Sequence, residues 1–263
     1  MRRAFPRRIG RHRGMNAPLL LDTKRMAVHD GPGIRTTFFV KGCPLKCLWC
    51  HNPESQSAER QIARFQHLCR HCAKCTMDEA TCPGRAFKVY GKEWSIKNIV
   101  AKACEDRAFY DASGGGVTIS GGEPLFFPEW TAELLRALRA EGLHTCVDTS
   151  LFAAPSVIES LLPLADMWLP DFKVADDALH RRLTGVSNEP IKRNLAMLVA
   201  AGARLEVRCV SVPGLTDGAD LAARHDYLHS LGIPEASIVD LEYHDYARSK
   251  YLALGMPDTM PPR

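Results

Sequence analysis

The residues best suited to chemistry are three cysteines that directly follow a predicted strand. Cys43, Cys47 and Cys50 lie in the run KGCPLKCLWC, with three and then two residues between them. Thiolates are soft ligands that suit iron–sulfur clusters, and a closed zinc or cluster site usually takes four protein ligands. Three thiolates would leave one iron of a four-iron cluster open to a small chelating ligand. The alternative is a zinc knuckle that His51 completes.

A second cysteine motif follows about 20 residues later. It comprises Cys69, Cys72, Cys75 and Cys82, and Pro83 follows the last of them. The spacing is similar to a ferredoxin run, although the last gap of six residues exceeds the usual three. We expect these four thiolates to close a second 4Fe–4S cluster; the alternative is a zinc site. Three isolated cysteines, Cys104, Cys146 and Cys209, are predicted to be ordinary core residues.

Polar and glycine residues follow several later predicted strands. They are Gly121, Gly122 and Glu123 in SGGEP, Asp148 and Thr149 in DTS, Asp171 and Lys173 in LPDFK, Arg208 in RCVSVPG, and His244 in LEYHDY. Glycines allow close backbone approach to a ligand, and a carboxylate accepts hydrogen bonds from an ammonium group. Each feature also has a plain structural alternative: a turn for the glycines, a surface ion pair for Asp171 and Lys173, and a structural role for the histidine.

Strands and helices alternate along most of the chain. Predicted strands are Ile34–Val40, Val117–Ser120, His144–Thr149, Met167–Phe172, Leu205–Val212 and Ser237–Tyr243. Predicted helices run from Ser95 to about Tyr110 and over Glu129–Ala140, Ser156–Leu162, Asp177–Leu183, Pro190–Ala201 and Leu221–Leu231. This order indicates right-handed βαβ units and a parallel sheet. About six strands predict an α/β fold, a partial (β/α)6 barrel whose working residues lie beyond the carboxyl ends of the strands.

The chain divides into three parts by composition. Residues 1–14 form an arginine-rich head. It is interpreted as a disordered tail, as a basic arm, or as sequence that precedes the true start of translation at Met15. We favour the last interpretation. Residues 15–51 and 92–263 are assigned to the barrel. Residues 52–91 are polar, rich in cysteine and without periodicity, and are assigned to a small ferredoxin-like insertion.

Charge and hydropathy exclude several classes of protein. The net charge is +4, but six of the 34 basic residues lie in Arg2–Gly14, so the remainder, with 30 acidic residues, is nearly neutral. That balance does not indicate nucleic-acid binding. The sequence contains no apolar run of transmembrane length and no export signal. We therefore expect a cytoplasmic protein without a membrane partner.

The run HDGPGIRTTFFVKGCPLKCLWCHNPES, His29–Ser55, resembles the radical S-adenosylmethionine (SAM) superfamily. More narrowly, it resembles the activating enzymes of glycyl radical enzymes, of which pyruvate formate-lyase activating enzyme is a familiar member. The resemblance extends from Met26 to Gly255. It implies a radical SAM barrel, with a 4Fe–4S cluster on Cys43, Cys47 and Cys50 whose open iron binds the amino and carboxylate groups of SAM.

The resemblance also implies roles for the other candidate residues. Gly121, Gly122 and Glu123 correspond to a motif that contacts the SAM amino group, and Asp148 with Thr149 to a pocket for SAM and a monovalent cation. Asp171 and Lys173 correspond to a pair near SAM and the peptide substrate, and Arg208 and His244 to residues near SAM. No side chain is required as a general base, although Lys173 and His244 could support the reaction.

The implied activity is that of an oxidoreductase that works without oxygen. Flavodoxin or ferredoxin would reduce the cluster, and SAM would be cleaved to methionine and a 5′-deoxyadenosyl radical that removes a Cα hydrogen from a glycine of a partner enzyme. The chain departs from the family in two ways: the insertion has four cysteines where relatives commonly have eight, and Ala247 replaces a glycine of the tail motif. The alternatives are radical SAM chemistry on a small molecule or another protein, and a non-enzymatic iron–sulfur electron carrier.

Overall fold

The computed structural model describes residues 17–262. Its strands are β1 (Leu20–Ala27), β2 (Arg35–Val40), β3 (Gln61–Arg64), β4 (Phe87–Tyr90), β5 (Gly116–Gly121), β6 (Thr145–Thr149), β7 (Met167–Pro170), β8 (Val207–Ser211) and β9 (Ile238–Glu242). Its α-helices are α1 (Ile96–Cys104), α2 (Arg107–Ser113), α3 (Pro128–Ala140), α4 (Pro155–Leu161), α5 (Asp177–Thr184), α6 (Glu189–Ala200), α7 (Gly218–Ser230) and α8 (Arg248–Ala253). None of these helices has the length and apolar character needed to cross a bilayer.

Six parallel strands form the frame of the molecule. One sheet has the order β1-β2-β5-β6-β7, in which only β1 is antiparallel to its neighbour, and β8 pairs with β9 in parallel. Parallel bridges between Trp168 and Leu205 and between Asp171 and Arg208 connect β7 to the β8 side. Helices connect successive parallel strands, as right-handed crossovers require. The predicted partial (β/α)6 barrel is confirmed.

The two faces of the strands differ in chemistry. Phe38, Ile119, Val147 and Trp168 belong to the main apolar core with the surrounding helices. Alternate positions carry polar side chains: the Thr118 hydroxyl donates to the Asp30 carbonyl oxygen and also accepts a hydrogen bond from the buried Arg35. Because side chains alternate along a strand, one face packs against helices while the other face is available for a site.

The structure corrects several predicted elements. The single helix expected from Ser95 to Tyr110 is two helices, because Asp106 points into the fold and its carboxylate accepts hydrogen bonds from Arg25 and Thr36. β1 and α8 had not been predicted. β1 has two irregularities in its pairing with β2, which disrupt the alternating pattern that a regular strand would show.

The region of the predicted insertion contains a short antiparallel hairpin of β3 and β4. Its connection, residues 65–86, carries the second cysteine motif. The domain boundaries drawn from composition remain a prediction. The predicted basic head and the choice between Met1 and Met15 lie outside the described residues.

Candidate active site

The first cysteine motif lies on a loop that follows β2 and is held by two other elements. Backbone N–H groups of Lys46 and Leu48 donate to the carbonyl oxygens of Thr184 and Leu183 at the end of α5, at 2.8 and 3.0 Å. On the other side, the Tyr251 hydroxyl of α8 donates to the Cys50 carbonyl oxygen at 3.1 Å. These contacts fix the loop before any ligand is considered.

The thiols of this loop are in a poorly solvated environment. Cys47 is only 8% exposed, and burial raises its pKa to about 12. Burial also raises the pKa values of Cys43 and Cys50. Buried thiols ionise when a nearby cation neutralises the resulting charge. The donor set therefore suits a cationic iron centre that binds thiolates.

The three sulfur atoms are farther apart than a single zinc ion would hold them. Among the described residues, only His225, His229 and Glu235 offer three ligand atoms within 4.8 Å of one another, so the three sulfurs are more widely spread. One tetrahedral zinc ion with bonds of about 2.3 Å would draw its sulfurs to about 3.8 Å apart. His51, the alternative fourth ligand, stacks on His244 at a ring distance of 3.7 Å and directs Nε2 to the His244 carbonyl oxygen.

A cavity of about 240 Å³ lies beside these cysteines, at the carboxyl ends of the parallel strands. Its lining includes Cys43, Cys47, Cys50, Gly121, Gly122, Asp148, Thr149, Asp171 and Lys173, all predicted from the sequence, together with Asp30, His51, Asn52 and Ser150. Residues as far apart in the chain as Asp30 and Lys173 thus meet in one place. Glu123, Arg208 and His244 do not form part of this lining and lie behind it.

Gly121 and Gly122 are required by packing of the protein's own backbone. Gly121 has φ of +112°, and a Cβ there would lie 2.4 Å from the backbone of Val40. A Cβ on Gly122 would lie 2.2 Å from the carbonyl oxygen of Gly42 in the cysteine loop. The absence of side chains therefore brings the end of β5 against the loop that carries the cysteines, and both glycines still border the cavity.

Glu123 connects the ends of β5 and β6 from a fully buried position. Its carboxylate accepts hydrogen bonds from the Leu125 N–H at 3.0 Å, the Thr149 hydroxyl at 2.6 Å, and both the N–H and hydroxyl of Ser150. Burial raises its pKa, and these donors oppose that shift. The side chain holds the two cavity-forming loops together rather than facing the cavity.

Asp148 provides a carboxylate on the cavity wall. It accepts a hydrogen bond from the Ser120 hydroxyl and lies 3.7 Å from the Arg208 guanidinium. Burial raises the pKa of Asp148 to about 6, although Arg208 lowers it. Arg208 also donates to the His29 carbonyl oxygen at 2.7 Å. The arginine therefore ties β8 to the segment before β2 and partly neutralises the wall.

Asp171 and Lys173 form an ion pair of 2.7 Å at the end of β7. Burial by itself lowers the pKa of Lys173. The negative charges of Asp171 and of the Cys47 thiolate outweigh that effect and raise the pKa above its usual value, so the ammonium form is favoured. The lysine side chain is 14% exposed. A fixed positive charge therefore lies next to the cysteines, where it stabilises thiolates.

Asp30 is a cavity residue that the sequence reasoning missed, whereas Ser150 belongs to the DTS segment that the sequence had already singled out. The Asp30 carboxylate accepts a hydrogen bond from the Thr37 hydroxyl at 2.7 Å, and Ser150 binds Glu123. Asp30 lies in the DGPG run just before a predicted strand, away from the carboxyl ends on which the reasoning relied.

The second cysteine motif lies on the hairpin connection. Cys72 and Cys75 are exposed, and Cys69 and Cys82 are half-buried. Arg64 donates to the Cys69 sulfur at 3.5 Å, and the Ala86 N–H donates to the Cys82 sulfur at 3.4 Å. The four sulfurs do not converge within 4.8 Å. The cluster and zinc alternatives for this motif both stay open.

Comparisons with known proteins agree with this geometry. The radical SAM superfamily signature matches residues 37–224. The chain is 36% identical to the benzylsuccinate synthase activating enzyme of Thauera aromatica, over 92% of this chain and 83% of the relative. It is 37% identical to the isethionate sulfite-lyase activating enzyme of Nitratidesulfovibrio vulgaris, over 89% and 86%.

A third relative, the pyruvate formate-lyase 2-activating enzyme of Escherichia coli, is 35% identical over 90% of this chain and 80% of its own length. Among solved structures, Streptococcus suis SuiB bound to its precursor peptide superposes with a TM-score of 0.53 at 15% identity, over 81% of this chain and 39% of that one. That likeness supports the fold alone. The chain therefore belongs to the radical SAM superfamily, among the activating enzymes of glycyl radical enzymes.

Proposed function

We propose that this protein uses a 4Fe–4S cluster and SAM to install a glycyl radical on a partner enzyme. One observation carries the proposal: three cysteines and the polar ends of β5, β6 and β7 line a single cavity. When bound, the cluster and SAM supply one-electron chemistry, the reductive cleavage of SAM that ends in removal of a glycine Cα hydrogen. The protein's part is to bind, orient and exclude water.

The cavity charges suit the parts of SAM. Cys43, Cys47 and Cys50 would hold the cluster. The carboxylates of Asp30, Asp148 and Asp171 would balance the sulfonium and ammonium cations and accept hydrogen bonds from the ribose hydroxyls. Lys173 would balance the thiolates and the SAM carboxylate. These groups are fixed by internal hydrogen bonds and ion pairs, so little reorganisation is needed on binding.

Residues behind the lining act as positioning groups in this proposal. Glu123 fixes Thr149 and Ser150, Arg208 fixes Asp148, and His244 supports His51 by stacking. Asp148 and Thr149 are also the proposed ligands of a monovalent cation. Support for the cation site consists of a partly buried carboxylate beside a hydroxyl and the backbone of a strand end.

The partner's glycine is proposed to reach the cavity as a peptide loop. Val28 lies two residues before the cavity-lining Asp30 and is 59% exposed, and Tyr246, whose ring stacks on His244, is 73% exposed. These exposed apolar side chains would offer contact area to a peptide near the cavity. The three relatives named above act on different enzymes and are nearly equally similar, so their identities do not select one partner.

The second cysteine motif is proposed to hold one 4Fe–4S cluster that receives electrons from flavodoxin or ferredoxin. The exposure of Cys72 and Cys75 supports contact with an external donor. Leu68 and Met77, within the same connection, are also exposed and offer apolar contact area. Electron transfer between partners uses small interfaces of this kind.

The test is anaerobic reconstitution with iron and sulfide, followed by SAM and dithionite, with 5′-deoxyadenosine as the product measured. Candidate partners are then added, and a glycyl radical is sought by electron paramagnetic resonance. Cys104→Ala serves as the matched control, because Cys104 is a half-buried cysteine outside both motifs.

Product formation in the wild type and in Cys104→Ala, together with a glycyl radical on one partner, is the expected result. A reconstituted protein that carries iron but forms no 5′-deoxyadenosine contradicts the proposal and favours an electron carrier. Product formation without a radical on any glycyl radical enzyme favours a different substrate.

A further inference from the structure

A second cluster of potential metal ligands lies on the outside of the barrel. His225 and His229 are four residues apart on α7, so their side chains share one face of the helix. Glu235 lies in the short turn between α7 and β9, and Asp240 lies in β9. Ligand atoms of His225, His229 and Glu235 all lie within 4.8 Å of one another.

The distances match those of a small divalent ion. One oxygen of Glu235, Oε2, lies 2.9 Å from His229 Nε2 and 3.7 Å from His225 Nδ1. A tetrahedral zinc ion with bonds of about 2.0–2.1 Å places its ligand atoms about 3.3 Å apart. These two separations lie on either side of that value, and the third, between the two imidazoles, is at most 4.8 Å, so side-chain rotations can bring the three ligands onto one ion.

Asp240 completes the arrangement from behind. Its Oδ1 lies 2.9 Å from His225 Nε2. When His225 carries its proton on Nε2, that N–H group donates a hydrogen bond to Asp240. The lone pair on Nδ1 of the same ring is then directed toward Glu235. A carboxylate that orients a ligating imidazole in this way is a regular companion of protein metal sites. His229 and Glu235 are half-exposed or more, so a water molecule can take a fourth position.

We propose that His225, His229 and Glu235 bind a zinc ion, with Asp240 as the positioning residue for His225. Two imidazoles and one carboxylate suit zinc, and no thiolate is involved. The ion would join the carboxyl-terminal end of α7 to the turn before β9 and so stabilise the β8–β9 pair at the open edge of the barrel. This site lies toward the amino end of β9, whereas the cavity lies at the carboxyl ends of the strands, so the proposal does not depend on the activity.

The experiment measures zinc binding to the iron–sulfur-reconstituted protein, in which the cysteines are occupied. Zinc per chain is determined after dialysis for the wild type, His229→Ala, the double variant His225→Ala/His229→Ala, and Asp226→Asn. Asp226 is an exposed neighbour on the same helix without a place in the cluster. We expect the wild type and Asp226→Asn each to bind one more equivalent of zinc per chain than either histidine variant. Asp240→Asn should weaken binding about tenfold or more.

Cobalt(II) distinguishes this site from the cysteines if some cysteines remain unfilled. Cobalt at His225 and His229 gives visible ligand-field bands without thiolate charge-transfer bands, and these are lost in the double variant. Added zinc should raise the melting temperature of the wild type and not that of His229→Ala. Equal zinc content in all variants, or a cobalt spectrum with only thiolate bands, would overturn the proposal. Circular dichroism checks the folding of each variant, and the single variant provides the test if the double variant unfolds.

Discussion

The two cysteine motifs differ in how the fold supports them. The loop of Cys43, Cys47 and Cys50 is bound to α5 and α8 by long-range hydrogen bonds, and Cys47 is buried. The loop that carries Cys72 and Cys75 is exposed, and its own hydrogen bonds are largely local, as between Thr81 and Asp78. A site on rigid elements is organised before its cofactor arrives, whereas a site on a free loop gains order from what it binds.

The carboxyl-terminal segment accounts for much of this difference. Lys250 of α8 donates to the His51 carbonyl oxygen, to Asn52 and to the buried Glu54 carboxylate, at 2.9, 3.2 and 2.7 Å. Thr259 donates to the Leu48 carbonyl oxygen at 3.0 Å. The end of the chain therefore holds the first cysteine loop against the barrel, and no comparable set of contacts joins α8 to Cys72 or Cys75 within residues 17–262.

The largest expected effect is the difference in SAM cleavage between variants that each lack one cysteine, one in the first motif and one in the second. Cys43→Ala should abolish 5′-deoxyadenosine formation, because the cluster next to the cavity then lacks one of its three thiolates. Cys72→Ala should retain SAM cleavage with dithionite, because its loop lies outside the cavity lining. The measurement is product per chain after anaerobic reconstitution, with iron content determined in parallel.

Loss of cleavage in Cys72→Ala, with iron still bound at the first motif, would contradict the separation of the two motifs. It would show that the second motif is needed for the chemistry itself rather than for electron supply. Cys104→Ala should behave as the wild type in both measurements.

The contrast in exposure predicts different thiol reactivity in the metal-free protein. Under reducing, anaerobic conditions, iodoacetamide should modify Cys72 and Cys75 at least about tenfold faster than Cys47, because reaction requires both access and the thiolate form. Peptide mass spectrometry over a time course gives the rate at each residue. Equal rates at the three positions would mean that the first loop is not ordered without its cluster.

A charge substitution at each region tests the scaffold. Lys250→Met should lower the free energy of unfolding by about 2–3 kcal/mol, since it leaves the buried Glu54 carboxylate without its cation. Lys88→Met, on β4, removes a 3.6 Å surface ion pair with Asp22 and a cation–π contact of 4.9 Å with the Tyr90 ring, and it should cost about 1 kcal/mol. Urea unfolding of the two variants provides the comparison. Similar losses would argue that the Lys250 contacts are as weak as those at the surface.

The elements that could be predicted from the sequence are the parallel strands, which follow one simple pattern. β2 and β5–β9 were located because buried parallel strands read as short apolar runs, and the polar residues that follow them meet because such strands end at one edge. Asp148, Asp171 and Lys173 were found in this way. β1 and the Asp106 helix break were missed, because both depend on contacts with distant residues.

The role of Glu123 marks the limit of motif reasoning. The spacing suggested a carboxylate that faces a ligand, whereas the side chain accepts four hydrogen bonds from the neighbouring loops. No sequence pattern encodes which way a side chain turns when two loops converge. The pair His225 and His229, by contrast, has helical spacing that can be read directly, but their meeting with Glu235 depends on the turn after α7.

The smallest expected effect concerns the charge on the wall of the first site. The pKa of Asp148 is raised to about 6 by burial, against the opposing influence of Arg208. The native state therefore holds a proton that the unfolded state has released between about pH 4 and 6. The contribution of Asp148 to the free energy of unfolding is present below pH 4 and is lost as the pH rises through 6, by on the order of 1 kcal/mol. In Asp148→Asn this pH-dependent loss of stability should be absent.

Asp177 on α5 supplies the opposite case. Ser187, followed by Arg181, lowers its pKa to about 2, so its contribution is present above pH 4 and is lost as the pH falls through 2. Urea unfolding of the metal-free wild type, Asp148→Asn and Asp177→Asn between pH 3 and pH 7 measures both slopes. The quantity compared is the free energy of unfolding of the variant minus that of the wild type. For Asp148→Asn this difference should rise from pH 4 to pH 6. For Asp177→Asn it should fall as the pH rises toward 4. Slopes of the same sign would mean that Arg208, rather than burial, controls the pKa of Asp148, and that the Asp148 carboxylate stays ionised at mildly acidic pH.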